Sequence, residues 1–441
     1  TRCGPPAGAK LTGDIRFNNE DPRGAEWTEN WRSLKDKIEW IVDGTKPGSY
    51  EVALVYRCGK GSGGSRYEIS CQDSKIEGEV RESVSPYFSN SWEEIKVNGI
   101  LELSEGTSNI VIQANHIPEN AKVVMDLFSL KLTPLSPKDK IQQDSARAVN
   151  ERASTDWFVE ARYGLMVHWL PESTPPRGPA KSYEDAVNQF NVKKFAKIVS
   201  ETGAGYIIFH IAGHKMPAPI KAWEEVHGTG SITKRDLIAD LSNALEKYKV
   251  RLILGQGLPE IGRFWKVGYK LHSERFKKIY QEIGHRYGTK LAGTYFDGGR
   301  EMTAFDVDWE GMFHACKAGN PDRLLSYNFW VFPLSTLWLD FWTGEGGYPY
   351  INFEERYIQA GAGKGLQAHV MFPIDDENHW WFKDQNHVIG PPVYSNEQLV
   401  NWIKEAIGEK TVTTLNIAIY QDGSVSSNTR AQLNVLKKTI D

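Results

Sequence analysis

The chain is poor in several features that would each have pointed to a class of protein. Cysteine is scarce, with 4 in 441 residues (Cys3, Cys58, Cys71, Cys316). Their spacing fits neither a zinc site nor a thiol nucleophile next to a histidine, so cysteine chemistry is set aside. Cys58 and Cys71 end and follow two adjacent predicted strands, which leaves two alternatives, a disulfide in an oxidising compartment or free buried thiols. No charge of one sign dominates: 52 Lys and Arg face 56 Asp and Glu, for a net charge of -4. No basic field is available to hold a phosphate backbone, and nucleic acid is excluded as an expected partner. No apolar run approaches the roughly 20 residues that cross a bilayer, so no membrane span is expected. The start, Thr1-Arg2-Cys3-Gly4, has no apolar leader core. The glycine-rich fingerprint of a dinucleotide site is missing after the first α/β strand, and no cofactor is expected.

What is present divides in two. From Ile38 to Leu132, short alternating runs such as Tyr50-Glu51-Val52-Ala53-Leu54-Val55-Tyr56 and Asn109-Ile110-Val111-Ile112-Gln113 are separated by turn residues. Period-2 strands at that spacing predict an all-β sandwich over residues 1–135, and the polar stretch 136–155 reads as a linker. Residues 156–441 change texture, with short apolar strands alternating with amphipathic helices, the pattern of a parallel α/β sheet. Phe195, Ile198, Val199 and Thr202 form a helical stripe behind Asn191 and stop at Gly203. Ser395-Asn396-Glu397-Gln398 is a capping box ahead of another helix.

Eight strands are expected in this part: 164–168, 206–210, 252–255, 291–296, 324–328, 339–342, 366–372 and 414–419. The sixth is placed mainly to complete the set. Eight parallel strands with intervening helices predict a closed (β/α)8 barrel of the TIM type. Its active site would lie at the C-terminal strand ends, where the sequence puts His168 and Trp169, then His210 and His214, then Asp297, Trp342, and the run Asp375 to Trp381 that includes Trp380. Carboxyl groups, imidazoles and indoles at one mouth suit a sugar: hydroxyls need directional partners, ring faces need aromatics, and a glycosidic bond needs two carboxyl groups. The high share of aromatic residues, with 15 Trp, fits that reading, although core packing takes most of such rings.

Asp297, followed by Gly298 and Gly299, is the candidate nucleophile, against the plainer role of capping the turn. Glu345, in Thr343-Gly344-Glu345-Gly346-Gly347, is the candidate general acid, in competition with Asp375, Asp376, Glu260 and Glu301 and with a plain role as a loop charge. His210 and His214 are four apart but lie on a strand and loop without the metalloprotease glutamate, so no metal is expected. The predicted substrate-binding residues are His168, Trp169, His210, His214, Trp342, Trp380 and Trp381.

These landmarks resemble a known family. Tyr163-Gly164-Leu165-Met166-Val167-His168-Trp169, Gly203-Ala204-Gly205-Tyr206, Thr233-Lys234-Arg235-Asp236-Leu237, Tyr295-Phe296-Asp297-Gly298 and Thr414-Leu415-Asn416-Ile417 follow in the order seen in the alpha-L-fucosidases of glycoside hydrolase family 29. The resemblance implies an exo-acting, retaining glycosidase that releases terminal α-L-fucose or a related α-linked sugar from an oligo- or polysaccharide. Asp297 would be the nucleophile, with His168 and His214 on sugar hydroxyls. It also implies a secreted, periplasmic or cell-surface protein whose leader is not in the chain. The sandwich resembles the carbohydrate-binding modules attached to such enzymes. Departures are plain: Gly213-His214 stands where the family has a His-His pair, Gly255-Gln256-Gly257 where it has a tyrosine, and His379-Trp380-Trp381-Phe382 where it has Ser-Trp-Gly-Tyr. Lost donors would leave fucose hydroxyls unpaired, so a different or decorated sugar is also expected to be accommodated. A catalytically silent glycan-binding barrel and an inverting glycosidase are the competing readings.

Overall fold

The computed structural model describes residues 2–3, 9–18, 27–45, 47–83, 92–135, 146–171, 174, 181–211, 213–302, 307–330, 334–346, 355–359, 363–375, 380 and 387–440. Its first part holds two antiparallel sheets. One is built on Gly48–Arg57 paired with Asp126–Pro134, the other on Lys37–Thr45 paired with Gly106–His116 and, beyond it, Arg66–Cys71. Val52, Leu54, Leu130 and Leu132 from the first sheet meet Ile38, Ile69, Ile110 and Ile112 from the second in one core, each at most 1% exposed. The alternation in the sequence is therefore the alternation of inner and outer faces. Cys58 and Cys71 are free and buried, which decides between the two alternatives in favour of thiols. Burial pushes the Cys58 thiol up to about 11.

The second part is a curled, all-parallel sheet of seven strands wrapped by helices: β1 (Tyr163–Trp169), β2 (Tyr206–Ile211), β3 (Arg251–Gly257), β4 (Leu291–Asp297), β5 (Leu324–Tyr327), β6 (His369–Pro373) and β7 (Val412–Asn416). The spatial order is β5-β4-β3-β2-β1-β7-β6. The helices start and stop where their capping chemistry says. Asn191 Oδ1 accepts the Lys194 N–H at 3.0 Å ahead of Val192–Thr202, and Gly203 ends that helix in the left-handed region. Ser395 and Gln398 form the expected capping box.

The expected sixth strand, 339–342, does not form a regular ladder. Residues 339–346 lie between β5 and β6 and are bonded to both. Asp340 N–H donates to Leu325 O at 2.8 Å and Ser326 Oγ to Phe341 O at 2.7 Å on one side. On the other, Trp342 N–H donates to Gln367 O and Met371 N–H to Gly344 O, both at 3.0 Å. Only Phe341 and Glu345 form bridges. The reason lies between them. Gly344 has φ +56, and a Cβ there would meet His369 O at 1.9 Å, so the extended backbone is broken at that point.

Side chains on the strands alternate between the inside of the curl and the helix layer. Met166, Tyr206, Ile208, Ile253, Tyr295, Leu324, Phe341, Met371 and Val412 fill the inside, closed below by Phe158, whose ring lies 4.7 Å from Tyr206 and 4.8 Å from Phe341. Phe209, Leu254, Phe296, Leu325, Tyr327, Phe372 and Leu415 belong to the outer core under the helices. Among the described residues no helix is long and apolar enough to cross a membrane.

Candidate active site

The inward positions at the C-terminal ends of the strands carry the polar residues. Counting two on from Met166 gives His168, from Ile208 gives His210, and from Tyr295 gives Asp297. Counting four on, Leu324 leads to Asn328 and Val412 to Asn416, while Glu345 follows Phe341 past the break at Gly344. Asn328 lies one residue past β5, and its N–H donates to Phe296 O at 2.7 Å, which extends the ladder to the mouth.

Asn328 joins the two candidate catalytic carboxyl groups. Its Nδ2 donates to Asp297 Oδ1 at 3.0 Å and also to Glu345 Oε2. Its Oδ1 accepts the Trp330 N–H at 2.9 Å and the Thr343 hydroxyl at 3.3 Å, a pattern that fixes which end of the amide is which. Two oxygens sharing one nitrogen donor lie within about 6 Å of each other, since each bond is roughly 3 Å at most. Asp297 Oδ1 also accepts the Gly298 N–H at 2.9 Å. Burial, and then the charge of Asp297, push the Glu345 carboxyl up to about 8, with the Asn328 hydrogen bond acting against them. A carboxyl group so placed keeps its proton at neutral pH. The Tyr295 hydroxyl below the pair is raised by burial first, then by both carboxylates.

The imidazoles stand beside the pair. His168 Nδ1 donates to Asn416 Oδ1 at 3.0 Å, while Asn416 Nδ2 donates to Trp380 O at 3.1 Å. Burial lowers the His168 pKa against the opposing pull of Asp297, so the ring is neutral with Nε2 left as acceptor. Its ring lies 4.6 Å from that of His210, and Trp380 stands edge-on to it at 6.3 Å. His210 is held well below its ordinary value by burial and by His168, and among the described residues both its ring nitrogens are buried with no partner. Gly255, its neighbour in the β2–β3 register, makes this possible, because a Cβ there would come within 3.0 Å of the imidazole. Two buried, unpaired nitrogens at a strand end mark a place where a ligand could supply the partner.

Alternation also settles which predicted residues the structure does not bring to the mouth. Trp169 follows the inward His168 and therefore faces the helices. It is fully buried against Phe190 and Phe209, and its indole N–H donates to Gln421 O at 3.0 Å. Trp342, one residue from the inward Phe341, is likewise part of the outer core and 3% exposed. His214 lies past the end of β2, exposed, and lines a cavity rather than the inside of the curl. Trp381 and Asp376 fall outside the described residues. Asp375 accepts the Ala418 N–H at 3.1 Å and the Thr429 hydroxyl at 2.9 Å, a buried tie between backbone and helix. Glu301 is placed against Arg300.

Glu260 comes closer to the pair than its sequence position suggests. Gly257 is the register partner of Asp297, and a Cβ on Gly257 would meet Glu260 Oε2 at 2.2 Å. The carboxyl of Glu260 thus occupies the space that an inward side chain of β3 would fill. Asn328 and Asn416, both structural keys to the site, were given no role in the sequence reading. Among the described residues no group of three or more His, Cys, Asp or Glu is placed to hold a metal. All four tryptophans of the sandwich, Trp27, Trp31, Trp40 and Trp92, are buried, so none offers a ring face to a glycan.

No protein-family model and no curated protein matches the sequence. Among solved structures, the chain is similar to an endo-fucoidan hydrolase of glycoside hydrolase family 107, at 14% identity and TM-score 0.48, over 64% of this chain and 53% of that one. It is also similar to an alpha-L-fucosidase from Lactobacillus casei in complex with alpha-L-fucose, at 16% identity and TM-score 0.42, over 66% and 97%. A third is alpha-L-fucosidase isoenzyme 1 from Paenibacillus thiaminolyticus, at 17% identity and TM-score 0.47, over 66% and 75%. The chain spans about half the length of the fucoidan hydrolase.

Proposed function

We propose that the chain is a retaining, exo-acting glycoside hydrolase that releases a terminal α-L-fucose, or a related α-linked sugar, from an oligo- or polysaccharide. Its barrel is read as a closed (β/α)8 unit over residues 156–441, with 339–346 in the place of the sixth strand and a sandwich over 1–135 ahead of it. The observation that carries the reading is the single amide of Asn328 bonded to both Asp297 and Glu345.

Retaining glycosidases hold their carboxyl groups roughly 5 to 5.5 Å apart, and inverting ones roughly 6.5 to 9.5 Å apart to admit a water. The shared donor supports the first arrangement. In the first step Asp297 forms a bond to the anomeric carbon while the bond to the leaving oxygen breaks and Glu345 gives that oxygen its proton. In the second, Glu345 takes a proton from water, the hydroxyl bonds to the anomeric carbon, and Asp297 departs. Neutral His168 and the unpaired nitrogens of His210 are the proposed hydroxyl partners, with Trp380 at the rim. The choice of fucose rests on the sequence resemblance.

A panel of aryl α- and β-glycosides tests the reading with the parent, Asp297→Asn and Glu345→Gln. The parent is expected to release an α-L-linked sugar, and Asp297→Asn to lose at least about three orders of magnitude in kcat. Glu345→Gln should lose about 10²- to 10⁴-fold on poor leaving groups and less on activated ones. Equal turnover by parent and Asp297→Asn would remove the proposed mechanism.

A further inference from the structure

We propose that the cavity beside the carboxyl pair is a subsite for an anionic sugar unit of the glycan, one that bears a sulfate ester or a carboxylate; this rests on the reading of the pair as a sugar-cleaving centre. The cavity has a volume of about 420 Å³ and is lined by His214, His227, Glu260, Arg263, Trp265 and Lys266. Of these, only Glu260 and His214 entered the account of the site above, and neither was given a step in it.

Position ties the cavity to the reaction. Glu260 is common to both: it lines the cavity and its carboxyl lies over Gly257, the register partner of Asp297. Pro259 also lines the cavity and packs against Gly298, the residue after the nucleophile, where a Cβ would come within 2.9 Å of its ring. A glycan held over Asp297 therefore meets this cavity with its neighbouring unit or with a substituent of the sugar itself.

The chemistry of the lining selects the ligand. Trp265 is 65% exposed, far more than a packing role explains, and its flat face is the kind of surface on which a pyranose ring stacks. Arg263 and Lys266 flank it. Arg263 holds φ +59, a conformation unusual for a residue other than glycine, and donates to Val226 O at 3.3 Å, which anchors the guanidinium at the cavity wall. Among the described residues the one carboxylate of the lining is Glu260, which is turned over Gly257, and no ion pair joins Arg263 or Lys266 to a described acid. His227, stacked on Trp223 at 4.2 Å, is pushed down to about 4 by burial first, with Arg263, His214 and Arg275 adding to the effect. Of these, Arg263 and Arg275 are permanent positive charges. An arginine and a lysine that line one cavity with an exposed indole match an anionic sugar better than a neutral one.

Calorimetric titration of the full chain with three oligosaccharides of one fucose backbone tests this: neutral, sulfated, and carrying a uronate. Hydrolysis of an uncharged aryl α-L-fucoside is followed in parallel. At least one charged ligand is expected to bind about ten-fold or more tightly than the neutral one, with a gap that narrows as salt is raised. Which of the two gains identifies the anion. The Arg263→Gln/Lys266→Gln variant should abolish the gap and leave aryl fucoside turnover unchanged, and Trp265→Ala should weaken all three ligands. Equal binding of neutral and charged ligands, no binding of any, or a gap that survives the double variant overturns the subsite. Turnover of the aryl fucoside without a charge preference removes the subsite and keeps the hydrolase. A charge preference without turnover does the reverse.

Discussion

Asn328 Nδ2 stands 3.0 Å from Asp297 Oδ1, at the end of a hydrogen-bond ladder that carries the amide one residue beyond its strand. The same nitrogen serves Glu345, and that hydrogen bond opposes the rise in the Glu345 pKa. Asn328→Ala should therefore have two effects: a fall in kcat of about 10²- to 10³-fold as the pair loses its spacing, and an alkaline limb displaced to higher pH. A kcat–pH profile of the variant checks both. An unchanged alkaline limb would mean that Asn328 does not act on Glu345.

Stability should carry the signature of the same carboxyl. Glu345 is raised from 4.5 to about 8, so between those values the folded chain keeps a proton that the unfolded chain has released. The unfolded state then binds fewer protons, and stability falls as pH rises through that window. Thermal melts of the parent and Glu345→Gln at steps from pH 5 to pH 8.5 measure this. The parent should lose more stability than the variant across the range. Parallel curves would show that Glu345 does not titrate there.

The segment that presents Glu345 depends on Asp340. One oxygen of Asp340 accepts the Ala153 N–H at 2.8 Å, and the other accepts the Leu325 N–H and Lys317 Nζ, both at 2.7 Å. The Lys317 and Asp340 side chains are 9% and 0% exposed, so removing the acid leaves an uncompensated buried ammonium. Asp340→Ala should cost about 3 to 5 kcal/mol in urea unfolding. It should also lower kcat, because residues 339–346 lose their hold on β5. Full activity in a destabilised Asp340→Ala protein would separate this segment from the catalytic geometry.

The tryptophans give a prediction from alternation alone. Trp169→Ala empties a fully buried site and should destabilise by about 3 to 5 kcal/mol, with KM unchanged in the folded fraction. Trp380→Ala, at the rim beside His168, should raise KM with little loss of stability. Steady-state kinetics and denaturant midpoints of the two variants, compared side by side, decide between these roles.

Much of this was legible in the sequence. Period-2 runs gave both β-layers of the sandwich, and helical stripes with Asn191, Gly203 and Ser395 gave elements whose ends lie where the caps require. Asp297, His168 and His210 were read from their place at strand ends and Glu345 from its glycine-flanked loop, and the structure brings these four together. Trp169 and Trp342 were misplaced because position at a strand end was used without parity, and of two adjacent residues on a strand only one can face inward. Parity was available: once His168 is inward, Trp169 is not. Asn328 and Asn416 were given no role since a lone asparagine carries no chemical signature until its partners are known. The expected sixth strand at 339–342 does not form a regular ladder for another reason. Its backbone turns at Gly344, where a positive φ follows from the close approach of His369 O, a contact between residues 25 positions apart that no local pattern encodes.

The most direct test is the anomer of the first-formed product, followed by NMR as the parent hydrolyses an aryl α-L-fucoside, with Asp297→Asn as control. Two carboxyl groups tied to one amide predict release of the α-anomer first, and no release by the control. A first-formed β-anomer, or release by the Asp297→Asn protein at the parental rate, would contradict the account.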